Sequence, residues 1–198
     1  MNFLAHLFLA APNPELMVGN FIADHVKGNK WNTFEPAIAK GIVMHRAIDT
    51  FTDEHPLTAK SRQLLHANYG KWSGVVVDIF NDYFLAKDWN KYSAVDLMDF
   101  TQQAYNVLET HTEILPEKSR HQLLYMKRDN WLYHYQSTTG ISFALKGLSQ
   151  RRALNSGIET AVADLLKFEN QFQQNFDLFM PQLMAAMQAY NPALINRI

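Results

Sequence analysis

Apolar residues recur along most of the chain at intervals of three and four, the period of a helix with one buried face, and strand-like alternation is scarce. Asn2 is placed to cap a helix over Phe3–Ala10, which Pro12-Asn13-Pro14 ends. Asn13 then caps a second helix with Pro14 at its first position, and Gly28 stops it. Residues 29–35 read as a loop before Pro36 opens a helix that runs through His45 and Asp49 towards Thr52. The polar turn Asp53-Glu54-His55-Pro56 separates it from a helix over Leu57–Tyr69, stopped by Gly70. Ser73 is placed to cap a helix over Gly74–Lys87 that is apolar on several sides and therefore expected to be central. Ser93 caps the next, over Ala94–His111, with Asp96 in its first turn, where the helix dipole favours an anion. Pro116 begins a helix through Lys127, a shorter one spans Asp129–Gln136, and another follows Thr139 to Arg151 or Arg152. After the break at Asn155-Ser156-Gly157, a long helix runs to about Tyr190, kinked or divided at Pro181. Proline and glycine punctuate helices rather than mark a linker, and no repeat or low-complexity tract is present. The expectation is an all-α fold, a single-domain helical bundle over 1–198.

The composition of this 198-residue chain fits such a bundle: 47% hydrophobic, 19% charged and 13% aromatic residues imply a bulky, well-filled core. A net charge of −1 carries no sign of broad attraction to nucleic acid or to an anionic membrane. No apolar run of about 18 residues exists, so no membrane span is expected. Met1–Ala11 is apolar, but no Lys or Arg precedes Lys27, so it reads as a buried first helix rather than a signal peptide, and a cytoplasmic protein is expected. There are no cysteines, which excludes disulfides, thiolate nucleophiles and sulfur-bound zinc. A metal here must be held by imidazole and carboxylate, the ligands of manganese, iron, magnesium or catalytic zinc.

The informative feature is the placement of His and Asp inside apolar helices. His45 and Asp49 are four residues apart on one helical face, flanked by Ile42, Val43, Met44, Ile48 and Phe51. Asp78 and Asp82 repeat the spacing within Val75–Leu85, where two like charges on one face call for a compensating cation. His6 sits among Leu4, Leu7, Phe8 and Leu9, and Asp24 follows Phe21, Ile22 and Ala23. Each has a plain alternative, an inter-helix hydrogen bond or salt bridge. Together, four separate helices bring acids and imidazoles where burial without a partner costs several kcal/mol, and one or two divalent ions would neutralise them. Such a centre would suit phosphoester hydrolysis, with Arg46, Arg151 and Arg152 as candidates to steady phosphate charge. No dinucleotide-binding glycine motif, phosphate-binding P-loop, Gly-x-Ser-x-Gly or His-Glu-x-x-His is present.

Met1-Asn2-Phe3-Leu4-Ala5-His6-Leu7, Gly19-Asn20-Phe21-Ile22-Ala23-Asp24 and Gly41-Ile42-Val43-Met44-His45-Arg46-Ala47-Ile48-Asp49 with Thr52-Asp53 resemble the acyl carrier protein phosphodiesterase family. The resemblance continues through Asp78–Leu85, Trp89, Asn130-Trp131-Leu132, Gly147 and Arg151-Arg152. It implies an all-helical fold like that of the histidine–aspartate (HD) metal phosphohydrolases, of which the family is a divergent member. It also implies Mn²⁺-dependent hydrolysis of holo acyl carrier protein at the phosphodiester joining 4′-phosphopantetheine to a serine, with Fe²⁺, Mg²⁺ and Zn²⁺ as other possible ions. Carried over residue by residue, His6, Asp24, His45, Asp49 and Asp78 form the metal shell, and Asp82 is a further ligand or lies just outside it. The candidate catalytic residues are Asp24 or Asp82, to hold the attacking water or move its proton, and Arg46, to stabilise the charge that develops on the phosphoryl group. The adjacent His-Asp doublet of the superfamily is absent, which leaves the number of metal ions open. Docking of an acidic carrier protein is expected on basic residues, with Lys27, Lys30, Arg62, Lys71, Arg151 and Arg152 as candidates. Two other readings stand beside this one: the same centre acting on a nucleotide or other small phosphoester, and a non-catalytic helical module whose acids are all salt-bridged. The oligomeric state is not legible in the chain.

Overall fold

The computed structural model describes residues 1–197, apart from the side chains of Arg152, Asn196 and Arg197. Among the described residues there are helices and turns and no strand. The α-helices are α1 (Phe3–Ala10), α2 (Pro14–Ile22), α3 (Pro36–Glu54), α4 (Pro56–Tyr69), α5 (Ser73–Lys87), α6 (Leu97–Thr110), α7 (Glu117–Arg128), α8 (Trp131–His134), α9 (Thr138–Arg152), α10 (Val162–Lys167) and α11 (Glu169–Met187). None is long and apolar enough to cross a membrane.

The centre of the bundle is α5, as its all-round apolar sequence requires: it packs against α1, α4, α9 and α11. Phe80 meets Phe172 edge-on at 5.2 Å between ring centres, and Phe84 lies 5.8 Å from Phe176. The run Phe168, Phe172, Phe176 and Phe179 thus covers α5 and α3 with aromatic bulk rather than facing solvent.

Helix α1 is too short to be stable alone and is clamped at both ends. Asn2 occupies its N-cap, but its side chain makes no capping bond. The acceptor comes instead from α5: Asp82 takes the backbone N–H of Leu4 at 2.7 Å, of Ala5 at 3.2 Å and of Asn2 at 3.3 Å. At the other end, the Asn191 amide donates to the carbonyls of Leu9 and Ala11, both at 2.8 Å. A tertiary carboxylate and a tertiary amide thus do what local caps do elsewhere.

Helices α2 and α3 cross at glycine on glycine. A Cβ on Gly19 would sit 2.7 Å from Gly41 Cα and closer still to the Ile38 carbonyl oxygen, and one on Gly41 would sit 2.9 Å from Gly19 Cα. Only bare backbone allows this approach.

Several boundaries differ from the sequence expectation for local reasons. Residues Gly28–Thr33 form a 3-10 turn rather than an open loop. Helix α6 starts at Leu97, capped by Asp96 through the Met98 N–H at 2.7 Å. Ser93, expected as that cap, has its hydroxyl tied into a turn with Val95. Ser73 likewise does not cap α5, because its hydroxyl donates to the Gly70 carbonyl. The long C-terminal helix is divided: a 3-10 turn at Ile158–Thr160 precedes α10, and a non-helical Phe168 separates α10 from α11, whereas Pro181 sits inside α11.

Gly19→Ala is expected to destabilise the protein by roughly 1–3 kcal/mol, since the crossing must open. Gly147→Ala in α9, where an added Cβ meets only Arg151 at 3.5 Å, should be neutral or stabilising by about 0.5–1 kcal/mol. Denaturant midpoints for the two variants check this. A wild-type midpoint for Gly19→Ala would remove the crossing as a constraint.

Candidate metal centre

The clamped α1 carries His6, buried with 4% of its surface exposed, and the α2–α3 crossing brings Asn20 from α2 and His45 and Asp49 from α3 to it. The two imidazoles stack with ring centres 4.0 Å apart. Asp49 bridges them: one oxygen is 3.2 Å from His6 Nε2 and the other 3.1 Å from His45 Nε2. One ligand atom from each of His6, His45 and Asp49 falls within 4.8 Å of the others. Asp24, in the single 3-10 turn after α2, reaches His45 Nε2 at 3.5 Å and is the solvent-exposed member.

Hydrogen bonding tests whether this group fits a metal. The Asn20 amide donates to the Leu16 carbonyl at 3.4 Å, which turns its oxygen to His6 Nδ1 at 3.0 Å. In neutral His6 that assignment places the ring proton on Nδ1 and leaves Nε2 as a bare lone pair facing a carboxylate oxygen. Two acceptors at 3.2 Å repel unless a cation lies between them. The imidazole–carboxylate donor set, with a buried amide orienting one ring, suits a divalent ion of the manganese, iron or zinc kind. His45 Nδ1 is buried and without a hydrogen-bond partner among the described residues.

Proton affinities follow from the same contacts. Burial and the adjacent His45 push His6 down to about 4, against the opposing pull of Asp49. Burial would lower His45 too, but hydrogen bonds to Asp24 and Asp49, with their charges, push it up to about 9. Asp49 is desolvated, yet its hydrogen bond from His45 and the nearby Met1 ammonium hold it well below the usual carboxylate range. The hydrogen bond to His45 lowers Asp24 as well.

The other expected site residues are placed differently. Asp78 is joined to the group through the buried α-ammonium of Met1, which lies 2.9 Å from Asp78 and 3.8 Å from Asp49. Desolvation raises Asp78, and the ammonium only partly offsets it. Asp82 has no exposed surface, and its oxygens are taken by the α1 backbone. Burial still pushes its carboxyl up to about 7. Arg46 turns its guanidinium to the carbonyls of Val26 and Gly28, both at 2.9 Å, and so fastens the segment after α2.

The expected docking residues are spread over three stretches. Lys27 and Lys30 are exposed after α2. Arg62 is paired with Asp53 at 3.3 Å, and Lys71 lies beside the Trp72 ring. Arg151 stacks on Trp131 and donates to the Gly147 carbonyl, while the Arg152 side chain lies outside the described residues.

Sequence reading gave no role to Asn20 or to the Met1 ammonium. Asn20 was detectable in the same way as Asp24, as a polar residue between Val18 and Phe21. The ammonium was not, because nothing local marks it as buried.

Protonated His45 stabilises the metal-free fold, because its folded value lies above its ordinary 6.5. That contribution is full below about pH 6.5 and is lost as pH rises through about 9. His6, lowered to about 4, contributes above about pH 6.5 and loses its share as pH falls through about 4. Denaturation of metal-free protein should therefore show stability falling between pH 6.5 and 9, and His45→Gln should flatten that limb. An unchanged limb would remove His45 as its source.

A family model described as acyl carrier protein phosphodiesterase matches residues 1–183. Relatives named acyl carrier protein phosphodiesterase include one from Photorhabdus laumondii, 34% identical over 93% of both chains. One from Yersinia enterocolitica is 31% identical over 95% of this chain and 98% of its own, and one from Escherichia coli strain SE11 is 31% identical over 98% and 100%. No solved structure matches the chain. With most of its length matched by the family model and its His6–His45–Asp49 group drawn from that matched region, the chain belongs to the acyl carrier protein phosphodiesterase family.

Proposed function

We propose that the chain hydrolyses the phosphodiester joining 4′-phosphopantetheine to a serine of holo acyl carrier protein, releasing the apo carrier protein and 4′-phosphopantetheine. A divalent metal, Mn²⁺ ahead of Fe²⁺, Mg²⁺ or Zn²⁺, and a cytoplasmic location are part of this reading. It rests on one observation: the family's opening blocks converge as His6, His45 and Asp49, with Asp24 open to solvent beside them.

His6 Nε2, His45 Nε2 and the Asp49 carboxylate would hold the metal, with Asp24 on the open side. When bound, the metal acidifies a water and polarises a phosphoryl oxygen. Asn20 keeps the His6 proton on Nδ1 and so keeps Nε2 available. Asp49 stays ionised, held so by its hydrogen bond from His45. Asp24, lowered by His45, is a weak proton acceptor, so its part is to orient the attacking water through hydrogen bonding.

With Asp78 neutralised by the Met1 ammonium, the acids left for metal are Asp49 and Asp24, which suits a single ion. Asp82 and Arg46 act architecturally, the first fixing α1 and the second fixing the turn that carries Asp24.

Purified protein with Mn²⁺ is expected to convert holo to apo carrier protein and to leave a panel of nucleotides intact, read by mass spectrometry. His45→Ala should lose both bound metal and turnover. Turnover of a nucleotide without turnover of holo carrier protein would move the assignment to a small phosphoester. Absence of metal and of any activity in the wild type would leave a binding module.

Asn20→Ala should weaken metal affinity about 10–100-fold while leaving the fold intact. Because His45 is protonated in the metal-free protein, Mn²⁺ binding at neutral pH should release about one proton. Calorimetry in buffers of different ionisation enthalpy reads this, and no buffer dependence would contradict it.

A further inference from the structure

A cleft of about 330 Å³ opens next to Asp24, lined by Asp24, His25, Lys27, Pro116, Glu117 and Lys118. One wall is the turn following α2 and the other is the start of α7. The walls are joined across the chain by His25 Nδ1 and the Ser119 hydroxyl at 2.7 Å, and Ser119 is fully buried. The cleft is therefore a built feature rather than a gap between loose loops.

It shares Asp24 with the metal group, since the same carboxylate lies 3.5 Å from His45 Nε2. Lys27 and Lys118 are exposed, and neither ammonium forms an ion pair or hydrogen bond among the described residues. Asp24 is engaged on its other side by the metal group, 3.5 Å from His45 Nε2, so two uncommitted cations stand against Glu117 alone. That balance favours an anion. At this volume the cleft lies at the lower end of small-ligand sites and is far too small for a folded domain.

Resting on the phosphodiesterase reading, we propose that this cleft receives the phosphate end of the 4′-phosphopantetheine group, with Lys27 and Lys118 as positioning residues that hold its phosphate from the side opposite His6 and His45. The carrier protein itself stays outside, and the prosthetic group is the part that enters. Ammonium groups on flexible stems suit this use, because they can follow the phosphate as the ester becomes a free monoester. The two lysines are thus expected to act on substrate and product alike.

Free 4′-phosphopantetheine and pantetheine lacking the phosphate are the probes, titrated into Mn²⁺-loaded full-length protein by calorimetry. The wild type should bind the phosphorylated probe more tightly than pantetheine. Lys118→Ala and Lys27→Ala should each weaken it about fivefold to tenfold, with binding of pantetheine unchanged. With holo carrier protein, KM should rise by a similar factor and kcat should change less. Metal content should be unaffected, and Lys118→Arg should restore most of the loss. Lys60→Ala, on the exposed side of α4, serves as the control. Unchanged affinity for 4′-phosphopantetheine in the double variant would overturn the assignment, as would a loss shared equally by pantetheine. The binding arm is independent of turnover. A wild type that binds the probe without cleaving holo carrier protein would sink the functional reading and leave the cleft standing. Cleavage without lysine-dependent binding would do the reverse.

Discussion

The bundle depends on how closely α2 can lie on α3. Gly19 and Gly41 let the two backbones touch, and no side chain fits between them. This contact sets where the end of α2 falls relative to His45, and hence whether Asp24 reaches the imidazole. A wider crossing would swing Asp24 and the turn behind it away from α3. The Arg46 side chain, reaching from α3 to the carbonyls of Val26 and Gly28, secures the same geometry one turn further on.

Charge is handled in two layers around that crossing. The inner layer is the stacked pair of imidazoles with Asp49 bridging their Nε2 atoms, arranged so that one ligand atom from each of the three falls in one small volume. The outer layer is structural. Asp82 is an interior carboxylate whose partners are backbone N–H groups, and Asp78 is matched to the Met1 ammonium. Both acids belong to α5, the most enclosed helix, and both serve to seat α1 so that His6 faces Asp49. Burial makes these acids costly, and their partners are the reason the cost is tolerated.

The proposed chemistry draws on this separation. Of the groups proposed to hold a metal, the two imidazoles are the protected ones: desolvation keeps His6 neutral, and the hydrogen bond from His45 keeps the more open Asp49 ionised. Asp24 lies at the boundary with solvent, beside a cleft with two free cations.

Helical periodicity, proline and glycine punctuation and the scarcity of strand alternation made the all-α class and most helices legible in the chain, because these signals are local. The i,i+4 pair His45–Asp49 was legible for the same reason: helix geometry alone puts both on one face. Asp82 was not separable from Asp78 by sequence, since both are acids on the same face of an apolar helix. Only the packing of α1 against α5 turns one into a backbone cap and the other into the partner of an ammonium. The caps expected from Ser73 and Ser93 failed because a hydroxyl satisfies whichever backbone group is nearest, and here those lay in the adjoining turns. The surroundings of Asn20 and Arg46, and the cleft between Lys27 and Lys118, came from contacts between residues far apart in the chain. Spacing determines which side chains share a helix face, but which faces meet, and what each buried charge finds there, is decided by tertiary packing.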